Sequence, residues 1–320
     1  MYANFANLVI FVYFRMQKAL PYIAILIAML IWAASGIAIQ HALVVFRPFT
    51  MIVLRFTFAV LLMLVVGLLL RGRSSLLGLQ RIRKRDIPLF LLAGLMQPVL
   101  YYILETYCYR SLSSPTIAEA LLSVAPLIAP VLAWLILREK VTLFNIVGIL
   151  ISSVGMFMLV LVGSQSFDIG QPVGVIFAIT AVCAAVLYTI VLRKIPEHYS
   201  PLSIVFYGQL TAIGCFIPLW AVTEGSTCLR EGWMLTPDVA TGIGTITYLA
   251  VCSSVIAFVL FCYTVRKIGV TQANAFNNIR PVFTALIMLA AFGEHLPAGK
   301  WAGILLIVAG LFICQYKHQS

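Results

Sequence analysis

Residues 118–158 read AEALLSVAPLIAPVLAWLILREKVTLFNIVGILISSVGMFM, and residues 273–313 read ANAFNNIRPVFTALIMLAAFGEHLPAGKWAGILLIVAGLFI. Superposed by a shift of 155 positions without gaps, they agree at nine of 41 places. The matches are Ala118/Ala273, Ala120/Ala275, Pro126/Pro281, Glu139/Glu294, Gly148/Gly303, Ile149/Ile304, Leu150/Leu305, Gly155/Gly310 and Phe157/Phe312. Apolar helices draw on a small alphabet, so several matches arise by chance. An aligned proline, glutamate and two glycines are harder to obtain that way. Self-similarity at a long period marks a duplicated unit, and the chain reads as two halves, 20–162 and 172–316.

The composition says where such halves reside. Of 320 residues, 62% are hydrophobic and 10% charged, and the mean hydropathy is +1.07. Soluble domains carry about a quarter charged residues, and no soluble fold of this length hides so much apolar surface. A soluble enzyme, a nucleic-acid binder and a disordered chain are excluded. Ten apolar segments can be drawn: 20–41, 49–70, 87–108, 115–137, 142–162, 172–192, 202–222, 239–261, 271–291 and 299–316. Each is long enough to cross a bilayer. Lipid offers the backbone no hydrogen-bond partner, so the segments are helices; the alternating ten-residue strands of a barrel are absent. Five crossings per half is odd, so the second half enters from the opposite side, as in carriers built of inverted repeats. The expected fold is an all-α integral membrane protein with ten transmembrane helices, two inverted five-helix repeats around a central cavity. Residues 1–17 read as an N-terminal extension, 18–163 and 172–316 as the repeats, and 317–320 as a cytoplasmic tail. Leu8–Phe14 is apolar but too short to span.

The net charge of +11 fits this topology. With the N-terminus in the cytoplasm, fifteen basic residues fall inside and four outside, while Arg55 and Arg280 lie within spans. Such a bias orients membrane proteins and puts both termini in the cytoplasm of an inner-membrane protein. No nucleic-acid partner is needed to explain the charge. The seven cysteines show neither a disulfide framework nor metal-ligand spacing; six lie in or beside apolar segments and Cys228 in a polar loop. There is no Gly-x4-Gly-Lys-Ser/Thr phosphate loop for ATP, no nucleophile elbow and no histidine pair at ligand spacing. No cofactor and no metal is expected.

The ordered set of features repeats in both halves. The first copy has Ala125-Pro126, then Leu137-Arg138-Glu139-Lys140-Val141-Thr142, then Gly148 and Gly155; the second has Arg280-Pro281, Gly293-Glu294, Gly303 and Gly310. Over residues 18–316 this resembles the drug/metabolite transporter superfamily, specifically proteins with two EamA-type domains. The resemblance implies ten helices, a central substrate cavity and export of small metabolites such as amino acids.

Polar groups set at a cost inside apolar spans mark a carrier's working parts, since a mid-membrane charge costs about 3 kcal/mol on insertion scales. Four such groups stand out: Arg55, Glu105, Glu119 and Arg280. Gln97, Tyr101, Glu105 and Tyr109 follow i, i+4 steps, one helix face flanked by Tyr102. Arg55, Glu105 and Glu119 fall in the same outer half. Either they form a gate or proton site, or Arg55 makes a structural ion pair with one carboxylate. Asn274, Asn277, Asn278 and Pro281 share a face of the ninth span. There Pro281 frees the Asn277 carbonyl, and Arg280 contacts substrate or gate, or makes a structural pair or helix-end contact. Trp32, Ser35 and Gly36, with Tyr188, Tyr207, Gln209, Tyr248, Ser253, Ser254 and Tyr263, are candidates to line an amphipathic cavity. Pro126 and Pro130 bend the fourth span, for gating or for shape alone. Gly148, Gly155, Gly303 and Gly310 read as packing residues, and Glu139 and Glu294 as caps of the helix that follows each.

The expectation is a non-ATP secondary transporter of the inner membrane that exports a small solute by alternating access. Its partners are that solute and the lipid bilayer, and it is a monomer or homodimer. Two alternatives stand beside it. A carrier of nucleotide sugars or lipid-linked or phosphorylated metabolites would want more cavity cations, and a membrane-embedded enzyme would need an acid/base or metal cluster.

Overall fold

The computed structural model describes residues 2–69, 78–112, 121–162, 170–292 and 297–315. Among them the chain is helical almost throughout, and its two bridges, Phe46 with Met234 and Leu112 with Gly170, are isolated. The helices are α1 (Tyr2–Val45), α2 (Pro48–Leu69), α3 (Ile87–Gly94), α4 (Tyr101–Ser111), α5 (Ala125–Leu137), α6 (Leu143–Leu161) and α7 (Val173–Lys194). They continue as α8 (Pro201–Trp220), α9 (Ser226–Glu231), α10 (Val239–Tyr248), α11 (Phe258–Ile268), α12 (Val270–Ala275), α13 (Arg280–Phe292) and α14 (Ala298–Gln315). Wide π-type turns carry α3 into α4 (Leu95–Leu100), α8 into α9 (Ala221–Gly225) and α10 into α11 (Leu249–Ala257).

Seven rods among the described residues are long and apolar enough to cross a membrane: Ala19–Val45, Pro48–Leu69, Lys84–Cys108, Val173–Lys194, Pro201–Glu231, Val239–Ile268 and Ala298–Gln315. The protein is a multi-pass membrane protein. Three of the expected segments differ. Helices Ala125–Leu137 and Leu143–Leu159 are shorter apolar stretches, and 271–291 is divided. At the N-terminus, α1 begins at Tyr2, so the backbone of the expected extension continues into the first span as one helix. The side chains of 2–18 and of Tyr109, and all of Glu119 and Glu294, lie outside the description.

The packing is that of a protein in lipid. Large apolar side chains face outward, such as Trp134, Leu135, Leu143 and Phe312, while the buried faces are small: Ala125, Ala129 and Ala133 on α5, Ala178 and Ala181 on α7. Lipid tails are as apolar as leucine, so close backbone approach and hydrogen bonds, not the hydrophobic effect, join helices there. The tightest seam is α6 against α14. A methyl on Gly148 would lie 2.5 Å from the Gly310 carbonyl, one on Gly310 the same distance from that of Gly148, and one on Gly155 2.6 Å from that of Gly303. In the repeat, Gly148 corresponds to Gly303 and Gly155 to Gly310. Each glycine therefore meets the counterpart of the other, the reciprocal pattern of a two-fold interface. Elsewhere too the halves interleave. By order within each half, α1 against α10–α11 answers α7 against α3–α4, and α1 against α13 answers α7 against α5; α2 and α8 are counterparts that pack on each other.

Both repeat prolines open a helix after a break. In the first copy Ser123 and Val124 form a turn and Pro126 sits in the first turn of α5. In the second, the tight turn Phe276–Ile279 precedes Arg280-Pro281. Proline has no N–H to lose at that position, so the break is placed where the ring is tolerated. The correction to the sequence reading is that Pro126 starts a helix instead of bending one. The Asn277 carbonyl is not left over either: it accepts the Arg280 N–H, and the Asn277 amide caps the Asn274 carbonyl at 3.2 Å.

Candidate functional site

Arg55 is only 2% exposed in the middle of α2. Its Nε donates to Ser254 Oγ at 2.6 Å and its Nη2 to Ser253 Oγ at 3.0 Å, both hydroxyls coming from the wide turn of the other half. The guanidinium carbon lies 5.4 Å from the Tyr102 ring centre and 5.6 Å from that of Phe56. Ring faces and aligned hydroxyls partly replace the water that a buried cation loses. A pair of Arg55 with Glu119 falls outside the described residues; the serines that hold Arg55 lie nearly 200 positions away, beyond any local pattern.

Tyr102, on α4, sits within electrostatic reach of Arg55, Glu105 and Arg280 together. Three of the four expected charged groups, from α2, α4 and α13, thus lie within electrostatic range of one phenol. Tyr101 adds a hydrogen bond from its hydroxyl to Glu105 Oε1 at 3.1 Å, the i, i+4 contact the spacing predicts. The stripe stops short of Gln97, whose backbone is extended (φ −148°, ψ 121°) at the wide turn ahead of α4. Its register with Tyr101 is broken, and Gln97 instead lines a small pocket with Phe56, Tyr188, Gln209 and Phe258. Phe56 belongs to both the pocket and the Arg55 cluster, so the two share a wall.

The remaining candidates hold the two halves together around this centre. Trp32 Nε1 donates to the Ser253 carbonyl at 3.2 Å and packs edge-on against Phe258; Ser35 returns its hydroxyl to the Trp32 carbonyl. Tyr248 donates to the Ile31 carbonyl at 2.9 Å, and Tyr207 stands edge-on to Phe90 and Phe206. Asn274 reaches Thr189 Oγ1 at 3.2 Å and the Val270 carbonyl at 2.9 Å, and Asn278 reaches Ser152 Oγ at 2.8 Å. Both asparagines are buried, with their amide nitrogens spent inside the bundle. Among the described residues no group of three His, Cys, Asp or Glu side chains is placed to hold a metal ion.

The two ends of the bundle are held differently from expectation. Glu139 does not cap the next helix: Thr142 does that, through a reciprocal box with Asn145. Glu139 reaches across to the other half and accepts from the N–H groups of Val270 (3.2 Å) and Thr271 (3.4 Å) at the start of α12. Gly269 precedes them with φ +94°, and a methyl there would lie 2.6 Å from the Glu139 carboxylate; only glycine suits both demands. At the far end, Glu224 is buried and accepts from Phe49 N (3.0 Å), Thr50 N (2.7 Å) and Thr50 Oγ1 (2.8 Å), capping α2. Sequence reading passed over Glu224. Its signal was scarcity: the chain has only ten acidic residues, and this one directly follows an apolar span. Cys228, expected in a polar loop, is buried beside it, its sulfur 3.2 Å from Thr50 Oγ1.

Residues 19–161 match the EamA-like transporter family, and residues 172–315 match it a second time. An uncharacterized transporter of Archaeoglobus fulgidus is 24% identical over 93% of this chain and 99% of its own length. An uncharacterized inner membrane transporter of Salmonella typhimurium is 22% identical over 90% and 93%. A probable terminal-alkyne amino-acid exporter of Streptantibioticus cattleyicolor is 23% identical over 74% and 76%. A solved crystal structure shares the fold, with a TM-score of 0.74 at 18% identity over 91% of this chain and 97% of that one.

Proposed function

The chain belongs to the EamA-like transporter family, and on that premise we propose that it is a secondary carrier of the inner membrane, exporting a small metabolite such as an amino acid by alternating access. Ten crossings form two inverted five-helix halves, with both termini in the cytoplasm. The reciprocal glycine seam supports the two-fold relation, and an exporter among the relatives supports the direction. One observation carries the reading: a guanidinium 2% exposed, held by hydroxyls of the opposite half and set over Tyr102, a phenol within electrostatic range of Glu105 and Arg280 as well. Charges this costly in a membrane are retained where they meet something polar that passes. The two guanidinium groups suit a solute carboxylate and Glu105 suits its ammonium group. Arg55 is the structural link between halves and the centre's main cation, so its geometry changes when the halves rock.

The test is counterflow of radiolabelled neutral L-amino acids in liposomes of the purified protein, without nucleotide. Saturable flux that Arg55→Gln lowers at least tenfold is expected. Flux no greater than in protein-free liposomes for every amino acid overturns the reading.

A further inference from the structure

Beside the charged centre lies a feature that transport of a zwitterion does not require. Gln209, on α8, is 2% exposed and lines the pocket with Gln97, Phe56, Tyr188 and Phe258. Its amide nitrogen donates to the Ser254 carbonyl. That bond fixes which way the amide points, and it leaves the Oε1 acceptor buried without a hydrogen-bond partner. A buried acceptor left unmade costs about 1–3 kcal/mol, and such groups call for an explanation. The pocket's other polar side chains, those of Gln97 and Tyr188, do not donate to the Gln209 oxygen. Arg55 bonds the hydroxyl of the same Ser254, and its positive charge beside the pocket disfavours a cation there. The group that fits is therefore an uncharged O–H or N–H.

We infer that Gln209 is a specificity-determining residue: its amide oxygen accepts a hydrogen bond from a neutral donor at the tip of the transported solute. The inference rests on the carrier reading above and adds which part of the solute is read, and by what.

L-Threonine and L-valine are nearly the same shape and differ by one hydroxyl, which makes them the probes. Their binding to purified wild-type protein is measured by thermal shift, a readout independent of flux. One neutral hydrogen bond corresponds to about a three- to tenfold preference for threonine. Gln209→Met, which keeps the length and loses the acceptor, should bring the two amino acids to equal affinity. Gln209→Glu keeps an acceptor but cannot donate to Ser254, and it should retain the preference. If Gln209 serves only to tether Ser254, both variants fail alike, which overturns the inference. It is also overturned by equal binding to wild type, the result if a fixed water satisfies the oxygen, by no binding of either probe, or by a preference that survives in Gln209→Met. The liposome assay with other amino acids decides the carrier reading separately.

Discussion

The two ends of the bundle solve one problem with different chemistry. By order within their halves α2 and α8 are counterparts, and each begins at an opposite end where its first N–H groups need acceptors. At one end the acceptor is the carboxylate of Glu224, which takes three donors from Phe49 and Thr50. At the other, Ser200 caps α8 locally and Gln80 reaches over it, accepting from Ser200 N at 2.5 Å and donating to the His198 carbonyl at 2.7 Å. Around Gln80 the load is shared: Tyr199 donates to Asp86 at 2.7 Å, and Arg266 donates to the carbonyls of Tyr199 and Pro196. At one end a single buried carboxylate takes the α2 donors; at the other the load is spread over neutral Gln80 and Ser200 and charged Asp86 and Arg266.

The glycine seam lies between the ends and should serve both, so breaking it gives the largest effect. Gly148→Ala drives a methyl into the Cys314 backbone; about 3 kcal/mol of stability should be lost in denaturant unfolding. A loss under about 1 kcal/mol would mean the helices separate freely. Next comes Glu224→Ala, which strands buried donors and should cost about 2 kcal/mol. Gln80→Ala, whose partners are nearer water, should cost about 1 kcal/mol. Equal losses in these two would erase the contrast between single carboxylate and spread load.

The smallest effect is in pH. Hydrogen bonds from the Thr241 hydroxyl and N–H hold the Asp238 carboxyl, at the Glu224 end, below its ordinary 3.8. That contribution is present above about pH 4 and is lost as pH falls. Burial, with Asp86 alongside, pushes the Tyr199 phenol at the Gln80 end above its ordinary 10.0; its contribution is present below about pH 10 and is lost as pH rises. Acid should therefore loosen one end and alkali the other, read as hydrogen exchange at Thr241 and Ser200. Asp238→Asn should abolish the acid limb and leave the alkaline one.

Much of this architecture was legible in the sequence because it rests on short-range regularities. Length and hydropathy located seven of the ten expected crossings, and the shift of 155 made Gly148 the counterpart of Gly303 and Gly155 that of Gly310, the four glycines of one seam. The i, i+4 spacing of a helix placed Tyr101 over Glu105. What it could not supply were partners set by the folding of one half onto the other. Arg55 with Ser253 and Ser254, Glu139 with Val270, and Glu224 with Thr50 are each separated by more than 130 positions. Local breaks were the second blind spot. An i, i+4 stripe through Gln97 assumes a continuous helix, and the extended backbone there removes it.

The central claim, that the two ends open in turn, is tested most directly by double electron–electron resonance in nanodiscs. One label pair, at Leu43 and Leu229, spans the Glu224 end; the other, at Arg81 and Glu197, spans the Gln80 end, and all four sites are exposed. Glu224→Ala should lengthen the first distance and keep the second short, and Gln80→Ala should do the reverse. Distances that stay fixed in both variants, or that lengthen together, would contradict the account.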